Sequence, residues 1–194
     1  MSSRTSTPVE PLDALLERLE ITHWDLLLVG DGSGSTWDRE CGWGCVSVER
    51  ETMQRRAWHG AMNAGTVNFA EMMAYIQPLG WYVSRELQQR KHGKSVQVRH
   101  VHIVTDSSYV GGLKASPDLL SGPNGALWQV FKQFTAQGIL IHWHWIRRES
   151  VELNQFADQL SKAARLNLKD KDLPGQVADS HQPRRTLFQF NPCE

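Results

Sequence analysis

The sequence predicts an α/β fold in which a mixed five-stranded sheet, a three-strand meander plus two parallel strands, is flanked by helices. Two observations lead there. The apolar run at 24–29 shows no alternation, which marks a strand buried on both faces and central in its sheet. After two further strand-like segments, helical periodicity separates each later strand from the next, as parallel pairing through helical crossovers requires.

In order, Leu12, Leu15, Leu16 and Leu19 recur at helical spacing and predict a short amphipathic helix that packs on the domain. The first strand, 24–29, stops at Gly30-Asp31-Gly32-Ser33-Gly34. Strands at 42–49 and 55–60 follow with turn residues between them, giving the meander. Ala70, Met73, Ala74, Ile76 and Leu79 trace one side of a long helix over 68–90, which Pro78 and Gly80 are expected to kink or split. A fourth strand at 97–105 leads into a Gly/Pro/Ser loop at 111–125 with a short helical start. A helix at 126–137 capped by Gly138, a strand at 139–146 and a helix at 151–168 complete the core. The domain is therefore expected over 22–168, with 1–21 an N-terminal tail and short helix and 169–194 a C-terminal tail.

A chain of 194 residues suffices for one core with tails. No apolar run approaches the ~20 residues of a membrane helix, and 1–10 lack a secretory pattern, so no membrane association and a cytoplasmic location are expected. Lys plus Arg and Asp plus Glu number 21 each, so any grip on nucleic acid must come from local patches rather than net charge. Cys41, Cys45 and Cys193 form no paired metal-binding spacing and read as packing residues and a tail thiol.

Four acids stand out by position. Asp31 ends a buried strand between glycines; Asp106 ends another before Ser107-Ser108-Tyr109-Val110. Glu71 lies one turn into the long helix, on its apolar side, and Asp158 opens the last helix. Singly, each is explained by turn capping or by a helix dipole. Together they gather at the sheet end where the first and fourth strands should be neighbours. Clustered carboxylates repel unless cations hold them. Hard oxygen donors suit Mg2+, and a pair of such ions suits in-line phosphodiester cleavage.

Asp31-Gly32-Ser33-Gly34, Asn68-Phe69-Ala70-Glu71, Thr105-Asp106-Ser107-Ser108-Tyr109-Val110 and Asn154-Gln155-Phe156-Ala157-Asp158 resemble, in order, the four motifs of type 1 ribonuclease H. The resemblance spans about 22–168. It implies the ribonuclease H-like fold and an endonuclease that hydrolyses the RNA strand of RNA–DNA hybrids with two Mg2+ ions, Mn2+ being an alternative. It carries catalysis and metal binding onto Asp31, Glu71, Asp106 and Asp158, and substrate contacts onto Asn68 and Thr66, with Ser108, Trp37 and Arg148 as further candidates. Val67, Ser108 and Trp37 stand where the family often has Asn, Gln and Asn. The family's mobile-loop His is missing from 145–154, as in its short-loop branch, and Arg148 or Glu149 is expected to substitute in part. The basic protrusion of some members is missing too, which leaves Arg85, Arg90, Lys91, Lys94 and Arg147 as further phosphate-contact candidates.

Other features carry less. His100 and His102 alternate on one strand, His142 and His144 on another; four converging imidazoles would suit Zn2+ or Ni2+, but a polar sheet face is the simpler reading. Trp24, Trp128, Trp143 and Trp145 read as core, and Trp37 as a base-stacking residue. Arg184–Phe190 reads as an apolar docking segment for a replication-protein partner. The competing functions are a DNA-cutting nuclease on the same fold and a non-catalytic nucleic-acid-binding module; the four acids argue against the latter.

Overall fold

The computed structural model describes residues 9–34, 40–63, 65–93, 99–111, 120–148 and 150–166. Along the chain run α1 (Leu12–Arg18), β1 (Leu26–Gly34), β2 (Cys41–Glu49), β3 (Arg55–Met62), α2 (Val67–Lys91), β4 (His100–Thr105), α3 (Ser108–Gly111), α4 (Gly125–Ala136), β5 (Leu140–Trp145) and α5 (Glu152–Arg165). The sheet order is β3-β2-β1-β4-β5, so the unalternated first strand is the central one, as its composition requires. β1 pairs antiparallel with β2, β2 antiparallel with β3, and β4 runs parallel to both β1 and β5.

Each face of the sheet has its own core. Leu26 and Leu28 of β1 pack with Ala70, Met72, Tyr75, Leu79 and Tyr82 of α2 and with Trp128, Phe131 and Phe134 of α4. Leu27 and Val29 point the other way, into a cluster with Leu12 and Leu15 of α1 and Leu153 and Leu160 of α5. Two-faced burial is what an unbroken aliphatic strand can supply and a half-polar strand cannot. The amphipathic face of α1 packs on the domain, and Glu10 ties it down through an ion pair with Arg18 and a bridge to Val151.

Several expectations change. β1 does not stop before Asp31: it runs on to Gly34, paired with β2 throughout, while its pairing with β4 ends at Val29↔Val104. The last residues of β1 therefore border a gap rather than a neighbour. Pro78 and Gly80 leave α2 a single helix of 25 residues. Proline removes one intrahelical donor, but Ile76, Pro78 and Leu79 are all buried, and that packing outweighs the local cost. Trp145 is not a core residue. It lies at the end of the edge strand, on the face opposite α5, and is 56% exposed. Arg85 is no free phosphate ligand; it makes two hydrogen bonds to the Glu49 carboxylate and stacks over Trp81. Trp37, Lys94, Glu149 and the Arg184–Phe190 segment lie outside the described residues, as does the side chain of Arg90.

Candidate functional site

The gap between β1 and β4 is held open by one side chain. Tyr75 of α2 sets its hydroxyl 2.8 Å from the Gly30 carbonyl and 3.1 Å from the Val104 carbonyl, the two acceptors left where the strands part. Gly30 leaves room for the ring, since a Cβ there would sit 2.8 Å from Tyr75 Cε1. The hydroxyl carries the one proton these two buried carbonyls share, so Tyr75→Phe is expected to cost about 1–3 kcal/mol in a denaturant melt and to weaken Mg2+ affinity by loosening the gap.

Three carboxylates converge at this gap. Asp31 comes from β1, Glu71 from α2 and Asp106 from the end of β4, and one oxygen of each lies within 4.8 Å of the other two. Close backbone approach makes this reach possible. A Cβ at Gly32 would lie 2.5 Å from the Glu71 backbone nitrogen, and only glycine lets β1 come so near α2. The Gly32 N–H also donates to the Glu71 carboxylate. On the other face, a Cβ at Gly44 would lie 2.3 Å from the Ala157 carbonyl, so glycine seats α5 on β2. That seating brings Asp158 within hydrogen-bonding reach of Asp31.

The electrostatics are those of a site short of positive charge. Asp31 and Glu71 are buried. Burial and then Asp106 and Asp158 push Asp31 up to about 7. Burial and then Asp31 and Asp106 push Glu71 up to about 9. Asp31 Oδ1, Glu71 Oε2 and Asp106 Oδ1 are buried with no hydrogen-bond partner. Such atoms are costly in a native fold unless something outside the chain satisfies them. Three converging carboxylates, each with an orphaned oxygen, form a hard-donor set that fits a divalent cation of the Mg2+ or Mn2+ kind.

Asp158 stands beside this trio rather than in it. Its Oδ2 accepts a 2.6 Å hydrogen bond from Lys162 Nζ one turn on, while Asp106 Oδ2 accepts one from Arg148 Nε at 3.1 Å. Both cations partly compensate the acidic cluster, and neither reaches the orphaned oxygens. Of the expected substrate contacts, Thr66 accepts from the Phe69 N–H through Oγ1 and so caps α2, while Asn68 is exposed one residue into that helix. Ser108 is exposed at the start of α3. Trp145 was not expected at the site, yet its indole N–H donates to the Asp106 carbonyl. Tyr75, Lys162 and Trp145 carry no local mark in the sequence, since their roles depend on what the fold brings opposite them. Asn154, buried with an unpartnered Nδ2, was legible as a polar residue among the apolar positions of α5.

The family model for RNase H matches residues 24–165. The chain belongs to the RNase H family. The N-terminal RNase H domain of a Mycobacterium tuberculosis protein, solved as a fusion with maltose-binding protein, shares the fold at a TM-score of 0.52 and 22% identity, over 75% of this chain and 96% of that one. At that identity the likeness speaks for the fold alone. No curated protein sequence matches the chain. Membership of the RNase H family makes this a nuclease of the RNase H type, and its carboxylate cluster is of a kind that holds divalent metal. Among the described residues of this RNase H chain, no helix is long and apolar enough to cross a membrane.

Proposed function

We propose that the chain is an endonuclease that hydrolyses the RNA strand of RNA–DNA hybrids, with Asp31, Glu71, Asp106 and Asp158 as its catalytic carboxylates. The observation that carries this reading is the set of three inward, unpartnered carboxylate oxygens on three different elements of an RNase H fold. Asp31, Glu71 and Asp106 would hold one Mg2+, and Asp31 with Asp158 would share a second once Lys162 releases its oxygen. Bound there, the ions would supply Lewis acidity and make the attacking water more acidic.

The chain's own residues position the substrate and manage charge. Asp31 and Asp106, whose carboxylates converge, would set where the scissile phosphate sits. The Thr66 hydroxyl hydrogen stays free to donate to a phosphate oxygen while its oxygen caps α2. The exposed amide of Asn68 suits a ribose 2′-hydroxyl, the group that tells RNA from DNA. Arg148 neutralises Asp106 until its partner is taken, and then offers a guanidinium to the backbone. Arg148→Ala is thus expected to raise KM roughly three- to tenfold with little change in kcat, as loss of uniform binding does. A lower kcat at unchanged KM would assign the residue to the chemical step instead.

Cleavage of matched RNA–DNA, RNA–RNA and DNA–DNA duplexes in Mg2+ and in Mn2+ tests the proposal. Cutting of the hybrid alone is the expected result. Cutting of DNA would keep the site and overturn the substrate, and no cutting with either ion would turn the reading to a nucleic-acid-binding module.

A further inference from the structure

Trp145 differs from the other aromatic residues of the domain in where its ring lies. Two residues earlier, on the same face of β5, Trp143 packs against Tyr75, Trp128 and Phe131, with ring centroids 6.4, 6.0 and 5.2 Å away. That layer of rings stops there. Trp145 sits on the last rung of the β4–β5 ladder, opposite Thr105, and is 56% exposed. No other Trp, Tyr or Phe among the described residues is exposed. A bare indole leaves a large apolar area in water, which calls for a reason where it borders a polar site.

The ring is exposed, yet its place is set. Its N–H donates to the Asp106 carbonyl at 3.2 Å, which ties the indole to the backbone of a site carboxylate. Gly111, the last residue of α3, lies against it: a Cβ there would come within 2.9 Å of Trp145 Cδ1 and 3.2 Å of its Cβ. The one donor of the indole is therefore used within the protein, and what is left for a ligand is apolar ring surface. Asp106 has a second neighbour, since its Oδ2 accepts from Nε of the exposed Arg148. A ring and a guanidinium thus flank one aspartate, the first at its carbonyl and the second at its carboxylate. A cation for the phosphates and an aromatic surface for the nucleoside are together what holds a nucleic-acid strand.

We propose that Trp145 is a substrate-contacting residue whose exposed ring packs against the sugar of the nucleotide bound beside Asp106 and Arg148.

The inference rests on the reading of this chain as a nuclease of nucleic-acid duplexes. In a duplex the bases are stacked on one another, so the sugars are the apolar surface that a ring reaches from outside. With its N–H already donated, the indole cannot read a 2′-hydroxyl, and the contact serves ribose and deoxyribose alike. It touches no reacting atom, so it acts on affinity and not on the chemical step.

The test measures affinity apart from cleavage. The full chain carrying Asp31→Asn, alone or with Trp145→Leu or Trp145→Phe, is titrated in Mg2+ with a fluorescein-labelled RNA–DNA hybrid and with the matching DNA duplex, and fluorescence anisotropy gives Kd. Trp145→Leu is expected to weaken binding about fivefold or more, the lower end of what one aromatic contact to a nucleotide contributes. Trp145→Phe keeps a ring and drops the N–H, and is expected to retain most of the affinity. With Asp31 intact, Trp145→Leu should raise KM by a similar factor and leave kcat unchanged. Circular dichroism checks that each variant is folded. Unchanged affinity in Trp145→Leu overturns the proposal. Equal losses in the Leu and Phe variants overturn it too, because they would assign Trp145 to holding Asp106 through its N–H. Binding of the DNA duplex alone would overturn the hybrid reading, while the same comparison made on DNA still decides the ring contact. A chain that binds neither duplex, as wild type or as Asp31→Asn, overturns both.

Discussion

Asp31→Asn is expected to lower hybrid cleavage by about 10³-fold or more while raising the melting temperature of the metal-free protein at pH 8. The two effects share a cause. Asn keeps the shape of Asp31 but cannot carry the negative charge that the proposed site uses to hold cations, and removing one such electrostatic group costs about 10²–10³ or more. Without metal the same charge is a liability, since Asp31 is buried beside Asp106 and Asp158 and holds a proton up to about pH 7. At pH 8 it is mostly ionised in a cluster with no cation to answer it. Relief of that repulsion should be worth on the order of a few kcal/mol. Single-turnover cleavage and calorimetry in EDTA check the two halves. Near-wild-type turnover would remove Asp31 from the catalytic set, and a lower melting point would show that its charge stabilises the fold.

Between pH 7.5 and 8.5 the metal-free protein should lose stability steadily, and Mg2+ should abolish the loss. Glu71 and Asp31 have folded-state pKa values of about 9 and 7, both raised above their ordinary values of 4.5 and 3.8. In this window the folded state therefore holds more protons than the unfolded state. Stability is then fully present below the unfolded values and declines as pH rises through the folded ones, by up to about 1.4 kcal/mol per pH unit for each carboxyl still protonated. The window starts above the opposing groups. His102, His142 and His144 have lowered pKa values, so their contribution rises with pH; at 6.5 the unfolded rings are still half protonated, and the rise is complete only by about 7.5. Glu10 and Glu49 are lowered by Arg18 and Arg85, and their contribution is lost only in acid. Above pH 8 the buried Cys41 and Cys45 thiols, whose pKa values burial raises, begin to add to the decline. A bound cation stabilises the ionised carboxylates and adds its own binding energy to the folded state. Melting curves at pH 7.5, 8 and 8.5, in EDTA and in Mg2+, give the slope directly. A flat profile in EDTA would mean that the carboxylates are better solvated than their burial implies.

Local sequence determined much of this protein. The aliphatic run of β1 can be satisfied only between two layers, so it fixed the central strand and the helices on both faces. The spacing of Asp31, Glu71, Asp106 and Asp158 along successive elements marked the acidic cluster before any coordinates, because carboxylates at strand ends and on apolar helix faces are costly without a purpose. What the sequence could not determine were properties of pairs distant in the chain. The end of β1–β4 pairing depends on Tyr75 filling the space beside Gly30. The separation of Asp158 from the trio depends on Lys162 and on how closely α5 seats against Gly44. The exposure of Trp145 follows from its place at the end of the edge strand β5. That His100, His102, His142 and His144 share one face needs the register of His102 against His142, and a shift of one residue would have turned the β5 imidazoles to the opposite face. Periodicity and residue type are written into each segment, and they fixed the elements and the acids. Register, close approach and charge compensation arise only when segments meet, and those were decided by the tertiary structure.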